Sequence, residues 1–232
     1  MLKEFIKNED EAKCALFGTI LADGSIQKER YTASNKTSYR LKTYVEITHT
    51  SKNLDYLREV REIFEMLDGV KCKITEHNKK TDKKTYTLFR LTTNSTEYFK
   101  ELRDKLYNEN RIKKFSKEII DKFNDLSLLL MYLDDGTLRV RFYENSNKKR
   151  EERVTFCLDS FTAEELEYFR RYLKNKYNID SHIYRHSKNL PINRGFRVWL
   201  NTLNTAKFMN IIDKFYDCVP SMQYKFTKFY SL

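Results

Sequence analysis

Two stretches of the chain switch abruptly from a helical to a strand period. Leu128-Leu-Leu-Met-Tyr-Leu-Asp-Asp-Gly136 is an apolar run that ends in Asp-Gly, and strict alternation follows at once in Thr137-Leu-Arg-Val-Arg-Phe-Tyr143. Upstream, Leu16-Phe-Gly-Thr-Ile-Leu-Ala-Asp-Gly24 ends the same way and runs into Ser25-Ile-Gln27. Each reads as a buried helix leading into a half-buried strand. Each also puts an aspartate at a helix C-terminus, where the dipole disfavours negative charge, so a compensating cation is required twice.

Periodicity elsewhere fills in the order. The first motif helix spans Glu9 to Ala22, followed by a hairpin of Ser25–Tyr31 and Tyr39–His49 around a polar loop near Asn35. A helix from Ser51 to Leu67 comes next, with Ser51 as its cap and Leu54, Leu57, Ile63 and Phe64 as its buried face. Val70–Glu76 and Thr85–Thr92 form a second hairpin across a lysine-rich loop, Asn78–Lys84; a helix from Ser95 to Tyr107 and a short one, Glu118–Phe123, lead to the second motif.

The second half repeats the first. Asp135 follows Asp23 by 135 − 23 = 112 positions, and Leu166-Glu-Tyr-Phe-Arg170 follows Leu54-Asp-Tyr-Leu-Arg58 at the same offset. Phe196-Arg-Val echoes Phe89-Arg-Leu at 196 − 89 = 107, which predicts a shorter second hairpin. Lys225-Phe-Thr-Lys228 echoes Lys114-Phe-Ser-Lys117 at 225 − 114 = 111. Thr162, with Glu164 and Glu165 behind it, caps a helix to Tyr177. The expected fold class is α+β, with αββαββα in each of two halves, 1–112 and 113–232, that meet at the basic connection Asn110–Lys117 and join through the two motif helices. Gly18 and Ala22, spaced i, i+4, give the first motif helix a small-residue face for close approach.

Charge adds a partner. Lysine and arginine number 44 against 33 acids, a net +11. Tyr31, Tyr44, Tyr86, Tyr143 and Tyr184 lie within the basic strands, and that interleaving leans from a merely solvated surface toward nucleic acid. Cys14, Cys72, Cys157 and Cys218 are far apart and form no zinc motif, so a reduced, intracellular setting (cytoplasmic or organellar) is expected. No segment reaches membrane-span length, and the N-terminus lacks a signal-peptide pattern.

The two nonapeptides resemble the LAGLIDADG motif of homing endonucleases: the first at Leu16, Gly18, Ile20, Ala22, Asp23 and Gly24, the second at Leu128, Asp135 and Gly136. Ser160-Phe-Thr-Ala-Glu-Glu-Leu-Glu-Tyr and Met222-Gln-Tyr-Lys225 resemble the single-chain branch of that family. The resemblance implies a pseudo-twofold monomer, with two saddle-shaped antiparallel sheets around a central helix pair, that breaks both strands of a long asymmetric DNA site and leaves short 3′ overhangs. Such enzymes are usually encoded within introns or inteins. Asp23 and Asp135 then meet at the foot of the helix pair, where two bare carboxylates repel and a divalent ion relieves them. Hard oxygen donors select Mg²⁺, with Mn²⁺ as a substitute and Ca²⁺ expected to support binding without cleavage. The metals would polarise the scissile phosphates, activate water and stabilise the leaving 3′-oxygen. The resemblance adds the backbone carbonyls of Ala22 and Asp134 as ligands. It also adds Lys114 and Lys225 as pocket lysines that orient water or stabilise charge, with Lys113 as a substitute for Lys114. A solvated lysine or a phosphate contact is the alternative for each. The Asp134 side chain, where the motif usually has alanine, reads as a structural hydrogen-bonder.

The strands supply the candidate DNA surface. Counting by twos from each aspartate gives Ser25, Gln27 and Glu29, then Thr137, Arg139 and Arg141, opposite a core face of Leu138, Val140 and Phe142. Arg40, Lys42 and Tyr44 oppose Leu41, Val45 and Ile47; Arg153, Thr155 and Asp159 oppose Val154, Phe156 and Leu158. Lys71, Lys73, Tyr184 and Arg197 extend the surface into the second hairpins. In a major groove such arginines read guanine and glutamine reads adenine. Three rivals remain: an intron RNA maturase of the same fold, told apart by RNA binding without DNA cleavage; a DNA-binding regulator, which would have lost an acid; and, superficially, the Tyr132-Leu-Asp-Asp135 of a reverse transcriptase, which the upstream duplicate argues against.

Overall fold

The computed structural model describes residues 1–32, 39–80, 84–142, 150–187 and 190–226, with the backbone alone at 31–32, 39–40, 142 and 150. Asn35, Tyr143, Lys228 and residues 81–83 of the lysine-rich loop lie outside the described residues, and Asn78–Lys80 belong to a strand.

The first half runs α1 (Glu9–Leu21), β1 (Ser25–Thr32), β2 (Tyr39–Thr50), α2 (Leu54–Phe64), β3 (Cys72–Lys80), β4 (Thr85–Thr93) and α3 (Glu97–Leu106). A short α4 (Lys117–Ile120) leads into the second half: α5 (Asp125–Asp135), β5 (Gly136–Phe142), β6 (Arg150–Phe156), α6 (Ala163–Tyr177), β7 (His182–Arg185), β8 (Phe196–Trp199) and α7 (Thr202–Ile212). Both halves therefore follow αββαββα. Their antiparallel sheets have the same order, β1-β2-β4-β3 and β5-β6-β8-β7. The shorter second hairpin is present as the four-residue strands β7 and β8.

Local chemistry explains the helix starts. Asn8 accepts from the Glu11 amide to begin α1. Asn124 and Ser127 form a reciprocal cap on α5, as Thr162 and Glu165 do on α6. At α2 the expected cap is wrong. Ser51–Asn53 forms a 3-10 turn, and Asn53 precedes the helix with no side-chain cap bond. Leu54 is only half-buried, and Tyr56 and Val60 complete the inward face instead.

The motif helices α1 and α5 pack against each other in the centre. From Leu126 to Leu133 every residue of α5 is buried, as befits a helix covered on all sides. Gly18 sets the spacing: a Cβ there would overlap the Ser127 carbonyl. Its counterpart in the second helix is the fully buried Leu130, so one small residue, rather than one from each helix, admits the close approach. Ser127 Oγ donates to the Cys14 carbonyl at 2.7 Å, and Asn124 Nδ2 donates to that of Glu11 at 3.2 Å. These bonds tie the entry of one helix to the other.

Alternation sets the sheet faces, with one correction at the ends. Val45, Ile47, Val154, Phe156 and Leu158 are buried as expected, but Leu41 is 56% exposed, and Leu138 and Val140 are only half-buried. Leu41 lies toward the turn of its hairpin, whereas Leu138 stands two residues after Gly136 and lines a pocket with Asp135 and Lys225.

Gly18→Ala should cost about 1–3 kcal/mol, because the added methyl meets backbone rather than a side chain that can turn away. Urea unfolding of the two proteins measures it.

Candidate active site and nucleic-acid interface

The two motif helices end side by side, so their terminal acids share one environment. Asp23 follows α1 on a non-helical turn, with Ala22 at φ −82° and ψ −115°, while Asp135 is the last residue of α5. Burial and then the charges of Asp23 and Asp134 push the Asp135 carboxyl up to about 7. Asp23 is raised as well, by loss of hydration and by Asp134, against the opposing pull of His49, Lys225 and Lys113. Two neighbouring carboxyls that both resist ionising are what a shared divalent cation would relieve.

Each helix end carries its own lysine. Lys225 Nζ donates to the carbonyls of Leu133 at 2.5 Å and Gly136 at 2.9 Å, with those of Tyr132 and Asp134 at 3.4 Å. In the first half the same cage is filled by Lys113, whose Nζ donates to Gly24 at 2.7 Å, Ala22 at 2.9 Å and Leu21 at 3.2 Å. The offset is 225 − 113 = 112, the one that relates the two aspartates. An ammonium therefore satisfies the carbonyls left open at each helix end and supplies the cation the dipole demands. Burial lowers both lysines, Lys113 to about 8, against the nearby carboxylates, which hold them up.

The structure thus brings Lys113, not Lys114, into the pocket equivalent to that of Lys225. Lys114 uses its amide on the Leu106 carbonyl at 2.7 Å, and its half-buried side chain makes no bond to the cage among the described residues. The cause is one extra residue. Lys113 pairs with Tyr107 in an antiparallel bridge, and in extended backbone neighbouring side chains point opposite ways. Matching Phe115 with Phe226 therefore shifts the lysine by one.

The Asp134 side chain, fully buried, accepts hydrogen bonds from Thr19 Oγ1 at 2.5 Å and Tyr56 OH at 2.7 Å, and His49 Nε2 stands 3.2 Å from it. Burial works against the charged His49 imidazole, but pairing with Asp134 and the charge of Asp23 outweigh it and raise its pKa. Asp23, His49 and Asp134 each offer a ligand atom within 4.8 Å of the others. Thr19, His49 and Tyr56 were not singled out in the sequence. Their signal was indirect: an aspartate inside an apolar run has to find polar partners.

The strand faces array polar and basic groups beside these acids. On the first sheet, register aligns Ser25 with Glu46, Gln27 with Tyr44 and Glu29 with Lys42, and Lys73 with Thr92. Tyr44 donates to Glu29 at 2.6 Å; burial and that carboxylate push its hydroxyl up to about 12. Lys71 lies exposed just before β3, and the Arg40 side chain lies outside the described residues. Arg90, not foreseen, joins this face through Glu46 at 3.4 Å. On the second sheet Thr137 pairs with Thr155, and Arg139 lies directly opposite Arg153. Like charges facing each other across strands are destabilising, and Glu151, which accepts from Arg153 at 3.1 Å, offsets part of that repulsion. Arg153 stacks on Trp199 at 4.3 Å, His182 stacks on the same indole, and Asp159 holds Arg197 at 2.9 Å. Tyr184 pairs with Arg197 in register. Trp199 and His182 are further additions, readable in hindsight from the alternation of Phe196-Arg-Val-Trp199.

These features define a two-motif enzyme core: a duplicated α+β fold whose central helices end in paired acids between two basic sheets. The model of the LAGLIDADG DNA endonuclease family matches residues 13–216, and the chain belongs to that family. Among solved structures the fold is similar to the homing endonuclease I-WcaI bound to its DNA recognition sequence, with 18% identity, 97% of this chain and 90% of that one covered, and a TM-score of 0.71. It is also similar to I-DmoI in complex with DNA and Mn (20% identity, 91% and 97% covered, TM-score 0.53) and to the meganuclease I-SmaMI bound to uncleavable DNA (15%, 92% and 84%, 0.51). No helix among the described residues is long and apolar enough to cross a membrane.

The raised acids give a pH prediction. A carboxyl whose folded pKa lies above its unfolded value of about 3.9 binds more protons in the native state, so ionising it costs stability as pH rises toward 7. The thermal midpoint of the metal-free protein should fall from pH 5 to pH 7.5, and Asp135→Asn should flatten that fall. Calorimetric scans of the two proteins across the range provide the check.

Proposed function

We propose that this protein is a site-specific DNA endonuclease, acting as a single chain, that makes a metal-dependent double-strand break in a long asymmetric target. One observation carries the reading: packed α1 and α5 end in two carboxyls that both resist ionising and two caged lysines, between two sheets whose polar faces carry the basic residues. Solved relatives bound to DNA, one of them with Mn, support it. The retention of both acids favours cleavage over a maturase or a regulatory role.

The donor set suits a hard divalent ion such as Mg²⁺: the carboxylates of Asp23 and Asp135 with the carbonyls of Ala22 and Asp134, all oxygen. When bound, the metal supplies charge to polarise the scissile phosphates and stabilise the leaving 3′-oxygens. The chain's own residues prepare the place. Lys113 and Lys225 hold the helix-end carbonyls rigid and add positive charge beside the phosphates. The basic strands hold DNA across both centres: Lys42, Lys71 and Lys73 toward phosphates, and Gln27, Arg139, Arg141 and Arg153 toward base edges. We place the boundary between the halves just after Lys113, which serves the first motif, whereas Phe115 packs on Phe161 and Phe169 of the second half.

Three outcomes test this on a target selected from a randomised DNA library. Asp23→Asn or Asp135→Asn should abolish double-strand cleavage while leaving most of the binding, and full cutting by either in Mg²⁺ would sink the assignment. Arg139→Ala or Arg141→Ala should cost about 1–3 kcal/mol and relax preference at one base pair; removing a phosphate-contacting lysine should instead flatten the log-log salt slope by roughly one unit. Lys113→Met and Lys225→Met should each accumulate nicked DNA, cut in opposite strands. Parental rates on both strands would reduce the two lysines to helix caps.

A further inference from the structure

The two halves differ at one buried place beside the acids. Asp134 belongs to α5, yet the groups that hold its carboxylate all come from the first half: Thr19 of α1, Tyr56 of α2 and His49 near the end of β2. Among the described residues nothing reciprocates. Ala22 stands where Asp134 stands, at the offset of 112, and has no side chain to extend across. Met131, fully buried, replaces Thr19 at the same offset. Strand register gives the third comparison: Ser25 pairs with Glu46 as Thr137 pairs with Thr155, so His49, three residues beyond Glu46, matches the buried Leu158. Tyr168, the counterpart of Tyr56, is 38% exposed. Three of the four counterparts are thus apolar, and the fourth, Tyr168, faces outward.

The consequence falls on the metal ligands. Asp134 is covalently next to Asp135, and its own carbonyl belongs to the proposed donor set. Three contacts from three elements fix the last turn of α5, and Asp135 continues that helix. Asp23 follows a turn held by the Gly24 amide on the Thr19 carbonyl at 2.8 Å and by the Lys113 cage, and its neighbour Ala22 has no side chain to anchor in the other half.

We propose that Asp134 is a positioning residue: through Thr19, Tyr56 and His49 it pre-organises the second motif's metal ligands from the opposite half, which makes the two catalytic centres unequal and the two DNA strands unequal in rate. This rests on the endonuclease reading above. A ligand held in place by neighbours loses less freedom when the metal arrives, and removing such supports typically weakens metal affinity about 10–100-fold.

The test uses the full chain and a duplex with each strand separately labelled. Asp134→Ala and His49→Leu install the other half's own residues, and Thr19→Val removes a hydroxyl at constant shape. The parent should cut its strands at unequal rates in Mg²⁺. Each variant should slow one strand about tenfold while changing the other far less, and Thr19→Ser, which returns the hydroxyl, should restore the parental ratio. Calorimetric titration of the DNA complexes with Ca²⁺ should show affinity weakened about tenfold by Asp134→Ala or Thr19→Val. Should Asp134→Ala fail to fold, the two milder variants decide. Equal slowing of both strands, in step with lost thermal stability and with parental Ca²⁺ affinity, would overturn the inference and leave Asp134 as a tie between halves. A parent that cuts neither strand would refute the endonuclease reading instead, and the Ca²⁺ comparison would then judge the network alone.

Discussion

Close packing of α1 against α5 is the constraint on which the rest depends. Gly18 lies on the Ser127 backbone, and the helices can end side by side only because no Cβ intervenes. That contact costs twice. It places two acids where both resist ionising, and it puts them at helix ends where the backbone already presents negative charge. Lys113 and Lys225 answer the second cost by caging the open carbonyls, and a divalent ion held by the two acids would answer the first. The same helix pair joins the halves, so fold and chemistry hang on one interface.

The sheets follow from that centre. Each motif passes directly from helix end to strand, so the first outward residues, Ser25 and Thr137, begin next to the acids, and the basic side chains extend away from them at every second position. A basic surface continuous with an acidic centre suits a polyanion that must be held on both sides of the bond to be cut. Arg139 facing Arg153 concentrates positive charge on that face, and Arg153 is held there by Trp199 and Glu151.

Much of this was legible in the chain, for identifiable reasons. Gly18, the paired Asp-Gly steps and the switch of period located both motif helices, and the Leu166-Glu-Tyr-Phe-Arg170 echo exposed the duplication. What escaped was whatever depended on contact across the halves. His49, Thr19 and Tyr56 are far apart in sequence and meet only at Asp134. The lysine was displaced by one residue because Phe115 and Phe226 are the stronger echo, yet the backbone follows the 112 offset. Leu41 and Leu138 show that alternation tells which way a side chain points but not how far its cover extends.

The most direct test of the central claim is the location of bound metal. Crystals of the protein with target DNA and Mn²⁺, measured at the manganese absorption edge, should show anomalous density coordinated by Asp23 and Asp135 at the foot of the helix pair. Manganese bound elsewhere, with those two carboxylates turned away from the scissile phosphates, would contradict the account.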